Sequence, residues 1–124
     1  MRIPVYGSEL KLVIAKDQDA AAKALATGPR RRWLAFIKQG AVSAAIQDKG
    51  TVSVVFVYDA RKSIDADLVF HEVDHAVDLI LHYHGIPKTK GPDEAAAYLS
   101  GWVGNAVMLQ LNRKRIKVKT RERV

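Results

Sequence analysis

Between Ala66 and Leu81 the apolar positions recur at helical spacing. Leu68-Val69-Phe70, Ala76-Val77 and Leu79-Ile80-Leu81 interrupt a series of acids and histidines, the pattern of a helix buried along one side. Asp65 and Asp67 suit its positive N-terminal end, and either can cap it. Gly85 and then Pro87 supply a stop. The spacing therefore predicts a helix over about 65–84. A second long helix is predicted over about 93–113. Pro92-Asp93-Glu94 opens it, and alanine, leucine and methionine carry it from Ala95 to Leu111. Gly101 and Gly104 lie inside, each costing about 1 kcal/mol relative to Ala in an exposed helix. Close approach to another element is the reason expected for them.

The first half of the chain has a different period. Leu10 to Ala15 reads as a strand, and Ala20 to Ala26 as an alanine-rich helix with an N-cap from Lys16-Asp17-Gln18-Asp19. Thr27-Gly28-Pro29 breaks it. Arg30 to Lys38 has a period that fits a short helix or a strand, and Gly40 ends it. Ala41–Gln47 and Thr51–Tyr58 read as two strands joined by the turn Asp48-Lys49-Gly50. Thr51–Tyr58 is so rich in valine and aromatic residues that burial on part of both faces is expected. Asp59 to Ser63 is a polar link, and Gly85 to Pro92 a loop. The order of elements predicts one α+β domain over 1–124, a small, mostly antiparallel sheet packed against the two long helices.

Composition adds two constraints. There are 124 residues, 48% of them hydrophobic and 27% charged, which suits one soluble domain with a sizeable core. No apolar run nears the roughly 20 residues of a membrane span, no leader pattern opens the chain, and a cytoplasmic protein is expected. There are no cysteines, so any transition metal must be held by histidine and carboxylate. The net charge is +7, and residues 113–124 alone carry +6 of it. Such a tail binds phosphates of nucleic acid or an acidic partner, or is a solvated terminus. Arg30-Arg31-Arg32 is a smaller cluster at the head of an amphipathic segment.

The chemistry lies in His71-Glu72-Val73-Asp74-His75, an H-E-x-x-H on the first long helix. At about 100° per residue the two histidines lie about 40° apart, so both rings reach one cation. Glu72 is placed to take a proton from water on that cation. The bland alternative is a solvated face of i,i+4 pairs. A catalytic zinc normally has three protein ligands. Glu94, at the start of the returning helix, is the best third candidate, with its neighbour Asp93 behind it. His82 shares the face of His75, but seven residues rise about 10 Å, too far for one ion. His84 lies near the helix end, and Leu81 occupies the place six residues after His75. Asp78, three residues past His75, is unsuited because three ligands from one straight helix rarely converge.

His71-Glu72-x-x-His75 followed by Glu94 on a second helix resembles the gluzincin arrangement of zinc metallopeptidases. With Asp93-Glu94-Ala95-Ala96-Ala97-Tyr98 it is also similar to small minimal zincins of bacterial and phage genomes. The resemblance covers roughly residues 51–105. It implies a zincin-like fold, Zn2+ held by His71, His75 and Glu94, Glu72 as general base, and a peptide or protein substrate lying along an edge strand near Thr51–Tyr58. One position departs from the pattern. Tyr98 stands where gluzincins carry an aspartate that supports a ligand histidine, leaving Asp74 or Asp78 for that task. Tyr98 itself is either an oxyanion donor or simply packed. Three functions follow as expectations: a zinc-dependent hydrolase, an inactive zincin-like protein that binds through its basic tail, and a closed structural metal site.

Overall fold

The computed structural model describes residues 1–3, 7–25, 43–57, 63–87 and 93–120. The segments expected over 30–38 and 59–62, the Arg30-Arg31-Arg32 cluster and the last four residues of the tail lie outside these. Among the described residues the order is β1 (Glu9–Ala15), α1 (Gln18–Leu25), β2 (Ser43–Asp48), β3 (Thr51–Val57), β4 (Ile64–Asp65), α2 (Ala66–Tyr83), α3 (Glu94–Arg113) and β5 (Val118–Lys119). Among the described residues the architecture is α+β, with three helices and a small mixed sheet.

The sheet runs β1-β3-β2. β2 and β3 form the expected antiparallel hairpin, but β1 pairs with β3 in parallel, Glu9 opposite Thr51 and Ala15 opposite Val57. The mostly antiparallel sheet expected from sequence is therefore corrected to a mixed one. Parallel pairing needs a long crossover, and the chain between β1 and β3, with α1 in it, provides that length. The hairpin turn is also tighter than expected. Asp48 pairs with Thr51, so only Lys49 and Gly50 remain in the loop, and Lys49 takes the left-handed φ of 54°.

Period-two alternation sorts the strands between two cores. Leu10, Ala45, Val52, Val54 and Phe56 face α2 and α3, while Val13, Ala15, Ala44, Ile46 and Val55 face Ala21 and Leu25 of α1. This is why β3 is almost continuously apolar: it is the central strand, covered on both faces. Being central, β3 has no free edge for an extended substrate.

Asp17 caps α1, accepting from Ala20 N at 2.8 Å. α2 buries Val69, Val73, Ala76, Val77, Ile80 and Leu81. Each of the larger side chains contributes about 1.5–3 kcal/mol through burial. Asp65 occupies the N-cap of α2 without a side-chain cap hydrogen bond. The helix ends in a Schellman motif: Ile86 N donates to Leu81 O, Gly85 N to His82 O, and Gly85 supplies the φ of 69°. Asp93 caps α3, accepting from Ala96 N at 3.1 Å.

α3 returns antiparallel to α2. Gly104 lies beside Val73, while β4, just before α2, pairs with β5, just after α3. That pairing also settles part of the basic tail. Ile64 N donates to Lys117 O, and Ile116 is buried, so residues 114–119 are docked on the fold.

Candidate metal centre

His71 and His75 project from the middle of α2 into solvent. Their Nε2 atoms stand 3.1 Å apart, with the rings edge to face at 86°. Two nitrogens on a tetrahedral zinc, each at about 2.0–2.1 Å, are separated by about 3.3 Å. The imidazoles thus already have nearly the bite of a metal chelate. Glu72 completes the group. One donor atom from each of His71, Glu72 and His75 falls within 4.8 Å of the others.

Glu72 is the unusual member. Only 3% of it is exposed, and its Oε2 is buried with no hydrogen-bond partner. An unpaired buried polar atom costs about 1–3 kcal/mol, so a folded chain retains one mainly where something else satisfies it. The same carboxylate has an oxygen within 4.8 Å of the two imidazole donors, where it would meet a cation held by them. The helix also suits a cation: α2 carries Asp67, Glu72, Asp74 and Asp78 and no lysine or arginine, in a chain of net charge +7. The chemistry of the donor set therefore fits a metal ion.

The structure does not bring Glu94 to this group. α2 runs on for two turns past His75, so the returning helix starts beside the far end of α2. Ten residues separate Glu94 from Gly104, the position level with Val73, which is about 15 Å at about 1.5 Å per residue. The direction is unfavourable too. Val73 faces α3, and His71 and His75 lie about 160° from it on either side, pointing away. Tyr98, six residues or about 9 Å from Gly104, is 55% exposed on α3, and Asp93 is used as the helix cap. His84 is engaged elsewhere, its Nε2 lying 2.6 Å from Ser8 Oγ.

The helical wheel of α2 shows what lies on the histidine side. Relative to His71, His75 is at about 40°, Asp78 at about −20° and His82 at about 20°. His71, His75 and His82 are exposed and Asp78 is half-buried. The spacing 71, 75, 78, 82 marks this stripe in the sequence, and the rise of about 10 Å from His75 keeps His82 from sharing an ion with it in the same chain.

Comparison with protein-family models, with curated proteins and with solved structures returns no match to this chain. The class that its own fold and site define is an α+β domain with a His-Glu-His group able to hold a metal ion on the exposed side of a long helix. Among the described residues, no helix is long and apolar enough to cross a membrane.

Proposed function

We propose that this chain is a metal-dependent hydrolase, zinc being the best-suited ion, and that its substrate is a peptide or protein. The observation that carries the reading is a pair of imidazole nitrogens 3.1 Å apart with a carboxylate oxygen of the buried Glu72 within 4.8 Å of them. The likeness of His71-Glu72-x-x-His75 to the zincin motif supports the same reading. A bound zinc would polarise the scissile carbonyl and make a water molecule acidic near neutral pH. The chain's own part is then defined. His71 and His75 hold the ion through Nε2. Glu72 accepts the proton of the attacking water and returns it to the leaving amine. Burial fixes the rotamer of Glu72 and keeps bulk water from competing for its carboxylate.

The test is Glu72→Gln on the zinc-loaded chain, with new peptide termini in a peptide mixture counted by mass spectrometry. Glu72→Gln is expected to keep zinc and lose about 100-fold or more in rate, the usual share of a general base. Full activity in that variant would refute the assignment.

One observation favours a second reading, a binding protein. Arg113, Lys114, Arg115, Lys117 and Lys119 are all exposed on a segment that is docked to β4. A fixed basic surface of this kind suits nucleic acid. Steeply salt-dependent DNA binding that is lost on deleting 113–124 would support it; salt-independent or absent binding would exclude it.

A further inference from the structure

Gly104 marks the side of α3 that meets α2. At about 100° per residue, Tyr98 lies about 120° from it, Leu109 about 140°, Trp102 about 160° and Arg113 about 180°. These four form one ridge, about 22 Å long, down the side of α3 opposite α2. Tyr98 is 55% and Leu109 42% exposed, while Trp102 is half-buried and packed against the core. Asn105 and Asn112 are exposed along one edge of the ridge. Apolar surface gathered in this way marks an interaction site more often than single exposed residues do.

Charge names the partner. From Ala95 to Thr120 the chain has no aspartate or glutamate. At its far end the ridge runs into Arg113, Lys114, Arg115, Lys117 and Lys119, all of them exposed. The pairing of β5 with β4 holds this end in place. Arg115 adds an independent sign. It takes a φ of 58° at the end of α3, where the matching place after α2 is Gly85. An arginine kept in a backbone form that favours glycine points to a use for its side chain.

We infer that the ridge of α3 and the basic segment 113–119 together bind single-stranded nucleic acid. Its bases stack on Tyr98 and Trp102, and its phosphates meet the five cations. This rests on the second reading above, nucleic-acid binding by the basic surface, and deepens it by naming the form of the strand. Aromatic faces stack on bases that are free of a duplex, and a helix docked along its opposite side offers them a platform. Reading a duplex groove calls instead for polar side chains aimed at base edges, whereas Tyr98, Trp102 and Leu109 are mainly apolar. The amides of Asn105 and Asn112 suit the polar edges of bases and would be costly to bury in lipid.

The test is fluorescence anisotropy of the full chain in EDTA, with a labelled oligothymidylate of about 20 nucleotides and with a duplex of the same length. Wild type is expected to bind the single strand at least about tenfold more tightly than the duplex. Its affinity should fall about 100-fold between about 50 and about 200 mM salt, as five phosphate contacts require. Tyr98→Ala, an exposed change, should weaken binding at least about fivefold and leave the salt slope unchanged. Arg115→Gly should lower that slope by about 0.7 while the melting temperature rises, which a merely structural arginine would not do. Equal or tighter binding of the duplex would overturn the inference and leave the basic-surface reading standing, as would an unchanged affinity in Tyr98→Ala. Absence of salt-dependent binding to either form would remove both. Binding to phosphatidylserine vesicles without binding to either oligonucleotide would overturn the inference in favour of a lipid surface.

Discussion

Val73 packs against Gly104 where α2 and α3 cross, its Cγ1 lying 3.9 Å from the place a β-carbon on residue 104 would take. That is ordinary contact, so a methyl group fits. Gly101, three residues earlier, has nothing within 4 Å. Neither glycine is held by a close approach within the described residues, which corrects the reason expected for them from sequence.

Gly104→Ala is therefore expected to stabilise the fold by about 0.5–1 kcal/mol, the difference between Gly and Ala inside a helix. Gly104→Leu should do the reverse, costing about 1–3 kcal/mol through overpacking against Val73. Urea midpoints of the two variants against wild type check both signs.

Glu72 places a polar atom without a partner in the interior. Replacing it by methionine, of similar length and wholly apolar, should raise the stability of the metal-free chain by about 1 kcal/mol or more. It should abolish hydrolysis in the zinc-loaded chain. Opposite movement of stability and activity is the expected mark of a group kept for function. Thermal melts in EDTA, paired with the peptide assay, read both.

Among the described residues, Lys49 at 54° and Arg115 at 58° adopt left-handed backbone without being glycine. Arg115 stands where α3 ends in the same motif that uses Gly85 at the end of α2, with Ile116 N donating to Leu111 O. The left-handed form costs an L-residue about 1–2 kcal/mol, part of which glycine recovers. Arg115→Gly and Lys49→Asn should each stabilise by about 0.5 kcal/mol, seen as a rise in melting temperature. A fall in either would mean that the side chain has a contact outweighing its backbone cost.

Ser8 is buried and its hydroxyl meets His84 Nε2 at 2.6 Å, tying the segment before β1 to the end of α2. Ser8→Ala leaves the imidazole without that partner and should cost about 1 kcal/mol. The loss should appear first as faster amide exchange at residues 81–86, because the bond tethers the C-terminal turn of α2 to the segment before β1. Exchange faster only elsewhere would argue against this role.

Much of the fold is legible in the sequence. The apolar stripe of Val69, Val73, Val77 and Ile80 marks α2 to within a residue at each end, and Asp93 with the alanines after it marks α3. The hairpin strands follow from their valines, and Asp17 and Gly85 from their end chemistry. What stays hidden depends on residues distant in sequence. The parallel pairing of β1 with β3 is a tertiary choice that no local pattern encodes. The docking of Ile116 and Val118 beside β4 is another, and it turns half of an apparently loose tail into an ordered surface. At the site, His71, Glu72 and His75 are readable because four residues of helix bring them together. Glu94 misled because its spacing from His75 ignores how far α2 continues, and two further turns carry the start of α3 away from the histidines. The burial of Glu72 beside exposed neighbours is invisible in a linear motif, since it depends on the side of α2 that meets the rest of the fold.

The measurement closest to the central claim is a zinc titration by calorimetry on wild type, His71→Ala and the His71→Ala/His75→Ala pair. All three keep the core of α2 intact, because both side chains are exposed. The account predicts one ion per chain on wild type, an affinity lower by at least about tenfold in the single variant, and no specific binding in the double. Equal zinc affinity in all three would contradict it.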